Sequence, residues 1–440
     1  VSLAVTLVAA ASLFGVVEQN ETRSPAAWRA LTGKESAAFD LGHAVFNTQW
    51  TPANAPAGRR DGLGPRFNAP SCDACHNSGR RGRGPSDAGQ APIDLVIQLG
   101  ERQADGSVAR GTKRFGFIIN TAANGGLQPE AVVSIRYEAF RRELPDGTSI
   151  GLRRPEYEVS PVEGQPLAAN TVLMPRMPQA VHGAGLLERV RESDVIALSR
   201  DTTYEAIGVR GRVPWIGQSG RRTLGRFGWQ ATEPLVSTQV ASAFSREMGL
   251  TSPLDSRVDC GEQTPACLSR SGGDPEVEDS LFSAVVLFQK LQAVPRTAAA
   301  WTLFETSHDG RALFESAGCI ACHRAALTIG PERSTAPGGD EDSRVIVPFT
   351  DMLLHDLGPE LADRDAAGTI VPSEWRTAPL WGLNAAFATG RPVRLMHDGR
   401  ARSVEEAIAW HGGTAAESRR RFEHLPKSDR DTLVEWVRSL

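Results

Sequence analysis

The pattern C-x-x-C-H occurs twice in this 440-residue chain, as Cys72-Asp73-Ala74-Cys75-His76 and as Cys319-Ile320-Ala321-Cys322-His323. No other feature limits the fold so strongly. Two thiols at this spacing, followed directly by an imidazole, fit covalent haem attachment. The thiols add to the two vinyl groups on one porphyrin edge, and the next residue turns its ring beneath the iron. Other uses of a C-x-x-C pair fit less well. Structural zinc calls for four ligands in two neighbouring pairs, and here the pairs lie far apart. A thioredoxin-like dithiol does not require the histidine, and would not carry it twice. Two covalently bound haem c groups are therefore expected, attached at Cys72, Cys75, Cys319 and Cys322 with His76 and His323 on iron.

Haem attachment of this kind belongs outside the cytoplasm. The chain opens with an apolar run, Val1 to Val17, of about the length of a signal-peptide core. Residues 1–22 are read as a cleaved signal, with a retained membrane anchor as the alternative and the periplasm as the destination. Cys260 and Cys267 flank a polar loop and are expected to form a structural disulfide. The formal charge is -4, without the basic excess of a nucleic-acid binder.

Each motif follows a similar helix entry, Leu41-Gly42-His43-Ala44-Val45-Phe46 before the first and Asp309-Gly310-Arg311-Ala312-Leu313-Phe314 before the second. The likeness suggests two related units. Strand-like stretches such as Ile93 to Leu99 and Val132 to Tyr137, with Asp-Gly turns at 105–106 and 146–147, interrupt the first. Leu281 to Val294 is an amphipathic helix stopped by Pro295, and a last helix starts at Ser428 with Asp431 as capping partner. The expected fold is mainly α: two cytochrome c-like haem domains, 23–295 and 296–440, with a small β insertion at about 91–160 in the N-terminal one.

The segments Pro348-Phe349-Thr350-Asp351-Met352-Leu353-Leu354-His355-Asp356, Glu374-Trp375-Arg376-Thr377-Ala378-Pro379-Leu380, Leu395-Met396-His397-Asp398-Gly399-Arg400 and Ser403 to Gly413 resemble the C-terminal haem domain of the bacterial di-haem cytochrome c peroxidase superfamily. With Gly225-Arg226-Phe227-Gly228-Trp229-Gln230, they are similar to its di-haem oxidoreductase subfamily, often labelled thiol oxidoreductase. The resemblance covers most of the chain after about residue 40.

That family pairs a closed, low-spin haem with one open to a small oxidant. By resemblance, His411 is the sixth ligand of the His323 haem, where many relatives have Met or Tyr. Histidine at both positions implies a lower potential than His/Met. Met396, His397 and His355 are rivals. The resemblance further implies Trp229 as a bridge between haems, Gln239 as a hydrogen bonder over the His76 haem and Glu247 as the acid/base there. Glu247 stands two residues closer to the Gln than is usual. No ligand for a second face of the His76 haem follows soon after it, although Met174, Met177 and His182 lie in a segment that could approach. Relatives also hold a calcium ion between the haems with an Asn from this segment; that Asn is absent here, which puts calcium in doubt.

The function so implied is reduction of peroxide at the His76 haem, with electrons from a small redox protein relayed through the His323 haem. A dioxygen-using oxygenase and a non-catalytic electron-transfer cytochrome are the alternatives. Nothing in the residues supports a thiol substrate. Contact with membrane would come only through an N-terminal anchor.

Overall fold

The computed structural model describes residues 25–53, 60–85, 88–217, 221–261, 275–295, 306–330 and 344–440. The leader at 1–22 and Cys267 lie outside them. Among the described residues no helix is long and apolar enough to cross a membrane.

Helix Gly33–Asn47 begins with a capping box. Glu35 N–H donates to Thr32 Oγ1 at 3.3 Å and Thr32 N–H donates to Glu35 Oε2 at 2.9 Å, which satisfies two donors that helix ends leave open. It buries Phe39, Val45 and Phe46 in one core with Phe282, Val285 and Phe288 of helix Asp279–Leu291. The Phe46 and Phe288 rings lie 5.5 Å apart. Helix Val236–Glu247 joins that core through Val240, Ala241 and Phe244. A second core gathers Phe314, Trp410, Phe422 and Trp436 from helices His308–Ser316, Val404–Trp410, Ala416–Glu423 and Lys427–Arg438. The last helix starts after Pro426, with no side-chain cap, rather than at Ser428, and Asp431 pairs with Lys427 Nζ at 2.6 Å instead.

The mainly α expectation is overturned: the described residues are 30% helical and 23% strand. The largest sheet has five strands in the order Ile370–Val371, Asp363–Asp365, Thr171–Arg176, Val96–Arg102 and Val108–Arg110, each antiparallel to its neighbour. Its strands come from both halves of the sequence. Two ion pairs stitch them together: Arg176 grips Asp363 through two hydrogen bonds of 2.8 and 2.7 Å, and Arg102 Nε reaches Asp365 Oδ2 at 2.7 Å. The strand Asp363–Asp365 is wholly charged, so it carries no apolar alternation by which a strand is recognised.

The expected β insertion is also corrected. Strands Ala131–Glu143 and Ser149–Pro161 pair throughout as one long hairpin. Asp146 fixes its turn by accepting from Thr148 N–H at 3.0 Å and Thr148 Oγ1 at 2.7 Å. The tip is not confined to the N-terminal unit. Leu144, Ile150 and Leu152 are buried in the second core. Arg430 of the last helix donates to Asp146 Oδ2 at 2.8 Å and Thr148 Oγ1 at 2.9 Å.

The two halves meet in a reciprocal contact. Gly183 (φ 73°) starts helix Ala184–Glu188, and Gly382 (φ 76°) starts helix Leu383–Phe387. A Cβ on Gly183 would lie 2.5 Å from the Trp381 ring, and one on Gly382 would lie 2.5 Å from His182 Nε2. Each glycine thus receives the residue that precedes the other. Both the left-handed backbone and the close approach exclude larger residues.

Candidate functional site

Both C-x-x-C-H motifs open into clefts, and their local structure shows why. Ser71 caps the short helix Cys72–His76 by accepting from Ala74 N–H at 3.2 Å. The His76 ring donates from Nδ1 to the Gln179 carbonyl at 2.8 Å, and among the described residues its Nε2 makes no hydrogen bond. His76, Cys72 and Cys75 line a cleft of about 1420 Å³ including its mouth. In the second motif His323 Nδ1 donates to the Phe349 carbonyl at 2.9 Å. His323, Cys319 and Cys322 line a cleft of about 1290 Å³.

The donor sets fit iron-bound imidazole. A ligating histidine characteristically gives its other N–H to a backbone carbonyl or carboxylate. Burial lowers the pKa of His76 against the opposing pull of the Gln179 carbonyl. It lowers that of His323 to about 4, against Phe349. Both rings are thus held in the neutral, ligating form. All four motif thiols are free. Burial pushes Cys72 and Cys319 up to about 12, whereas a redox dithiol needs an accessible thiol of lowered pKa. Cys260 is disulfide-bonded.

The clefts differ in what faces the motif. His411 caps the end of helix Val404–Trp410, and its Nδ1 donates to the Ala407 carbonyl at 2.7 Å. It lines the His323 cleft, close enough for its charge to disfavour protonation of His323. Its own pKa is lowered by burial. The rivals line the cleft too, but His355 is engaged on both nitrogens, with Asp351 Oδ2 at 2.8 Å and Cys322 Sγ at 3.8 Å. These three residues form a compact group of potential metal ligands, already accounted for by their mutual hydrogen bonds. His397 stacks on Trp375 with centroids 3.9 Å apart. Met396 contributes to the wall of the cleft.

The His76 cleft is lined by helix Val236–Glu247, which presents Gln239, Ala243 and Glu247 at helical spacing along one face. Glu247 Oε2 is buried without a partner. Burial raises its pKa to about 7, against the nearby Arg246 and reinforced by Asp259. Such a group can release and recover a proton near neutrality. Met177 also lines this cleft, whereas Met174 and His182 do not.

Trp229 lines both clefts. Its Nε1 donates to the Met177 carbonyl at 2.7 Å, and its ring centroid lies 6.5 Å from that of His397. Three important groups carried no usable signal in the sequence. The carbonyls of Gln179 and Phe349 orient the two motif histidines, but every residue has a carbonyl. Arg376 donates to the Gln179 side chain at 3.0 Å, so the second half of the chain supports the ring of the first motif.

No curated protein is similar in sequence. One solved structure, hydrazine synthase of Kuenenia stuttgartiensis pressurised with 20 bar xenon, aligns over 63% of this chain and 96% of that chain at 16% identity. Its TM-score of 0.25 is too low to carry an argument. Residues 120–440, which include the second motif and follow the first, match a family described as "Di-haem oxidoreductase, putative peroxidase", and the chain belongs to that family.

Proposed function

We propose that this protein is an exported peroxidase with two covalently attached haem c groups, one on Cys72, Cys75 and His76 and one on Cys319, Cys322 and His323. One observation carries the reading: the clefts are unequal. A second imidazole, His411, shares the His323 cleft, whereas an unpaired carboxyl, Glu247, shares the His76 cleft.

When bound, the haems supply iron that can pass electrons at His323 and reduce a small oxidant at His76. The chain supplies position and protons. Glu247 Oε2 would take a proton from the peroxide and return it to the departing oxygen, and two electrons from the donor with two protons from solvent would complete reduction to two waters. Gln239 offers an amide to orient the oxidant. Trp229 fills the space common to both clefts and gives electrons a short path. His411 keeps the second cleft closed to oxidant. A small redox protein is the proposed donor, and the periplasm the proposed location. Calcium has no part in this proposal.

Spectra of the purified holoprotein test it. One high-spin and one low-spin haem are expected in the oxidised state, with rapid loss of hydrogen peroxide after half-reduction. Two low-spin haems unreactive to peroxide would leave the electron-transfer cytochrome instead. A stable dioxygen complex formed without peroxide would favour the oxygenase.

A further inference from the structure

The cleft around His323 is short of negative charge. Arg81, Arg376 and Arg419 line it, and among the described residues no aspartate or glutamate does. Two of these arginines are settled by protein groups. Arg419 Nε lies 3.3 Å from Glu423 Oε1. Arg376 donates to the carbonyls of Gly228 and Thr377 and to the Gln179 side chain, with Asp351 in electrostatic reach.

Arg81 is different. Its guanidinium reaches the Met396 carbonyl only at 3.5 Å, and its Nε is buried with no acceptor. Its Cζ lies 5.8 Å from the centre of the Trp229 ring. Burial pulls its pKa down to about 10, with no neighbouring carboxylate to oppose this. Among the described residues, then, a cation is held at an apolar cleft without an anion. Burying an unpaired charge is strongly unfavourable. The fork of guanidinium donors matches the two oxygens of a carboxylate, or of a phosphate, bidentately. The occupant of the cleft can supply one, because a haem carries two carboxylate arms on the edge away from its vinyl groups.

We propose that Arg81 is the counter-charge for the carboxylate arms of the haem held at His323. This rests on the assignment of a haem to that cleft. Arg81 belongs to the segment that follows His76, so the loop carrying one haem sets the electrostatics of the other. The same guanidinium lies over Trp229, which lines both clefts. A nearby cation disfavours the more positive, oxidised haem and raises its potential. Arg81 is thus a positioning residue that sets the driving force between the two haems.

Potentiometric titration of the holoprotein, with each haem followed by its spin-state signature, tests this. In Arg81→Leu the potential of the low-spin haem should fall while the high-spin haem moves less. Arg81→Lys, which keeps the charge, should retain most of the wild-type value. Equal potentials in wild type and Arg81→Leu, or equal shifts of both haems, would overturn the proposal. Wild-type protein provides a check that needs no variant. The carboxylate-bending Raman mode of the low-spin haem should lie at the raised frequency of a hydrogen-bonded group, and a relaxed frequency would overturn it. If the wild type fails to retain two haems after denaturation, the haem assignment itself falls, a failure distinguishable from unchanged potentials.

Discussion

Replacing Glu247 with glutamine separates the proton shuttle from the rest of the site. The carboxyl is moved from its ordinary 4.5 to about 7, chiefly by burial. At ~1.36 kcal/mol per pH unit, ionising it in the folded protein costs about 3 kcal/mol more than in the unfolded chain. Between about pH 4.5 and about 7 the folded state binds more protons at this site than the unfolded state. The stability it contributes is therefore present at low pH and is lost as pH rises through 7. About 2.5 kcal/mol of this change falls between pH 5 and 8. Glu247→Gln keeps the shape and removes the titration. Urea unfolding of both proteins at pH 5 and pH 8 should show the wild type losing about 2.5 kcal/mol more than the variant over this interval. Glu130, whose pKa is also raised by burial, titrates in both proteins and cancels in the difference; Asp259 is coupled to Glu247, so its pKa falls in the variant and its contribution adds to the difference in the same direction. Peroxide turnover should fall by roughly 10²–10⁴ in the variant, and the inflection near pH 7 in the wild-type rate should be absent from the variant. An identical pH dependence of stability in the two proteins would refute the burial argument. Unchanged turnover would refute the role of Glu247.

His411→Ala should convert the low-spin haem to high spin, and an unchanged low-spin spectrum would exclude His411 as a ligand. Changing both Cys72 and Cys75 to alanine should remove one haem from the denatured chain by mass spectrometry; retention of two would disprove attachment at the first motif. Asp363→Ala leaves the buried Arg176 facing Arg110 without its carboxylate and should cost about 3–5 kcal/mol, measured as a drop in urea midpoint. A loss below about 1 kcal/mol, the range of an exposed pair, would show that the sheet junction does not depend on this ion pair.

The β structure was partly legible and partly hidden. The Asp-Gly turns at 105–106 and 146–147 acted locally, and both close hairpins. The strands Asp363–Asp365 and Ile370–Val371 are too short to announce themselves, and the first is wholly charged; in the fold Arg102 and Arg176 pair with its Asp365 and Asp363. The mainly α reading, with β structure confined to an insertion at about 91–160, followed from the two haem motifs and missed these pairings. The candidate site divides in the same way. The spacing from Gln239 to Glu247 places both on one helix face, because helical periodicity is a local property. That Glu247 Oε2 should lie buried and unpaired is not local at all.

By itself the sequence determined which residues stand at each motif: two thiol pairs, each followed by its histidine. Only the tertiary structure decided how the two units depend on each other. It set the hairpin tip in the far core, brought Arg376 to Gln179 behind His76, laid Arg81 in the cleft of His323 and put Trp229 in the walls of both. Motif spacing acts over one helical turn and survives in any fold that keeps the turn. Charge pairing and burial depend on which distant segments share a core, and that is settled only when the whole chain packs.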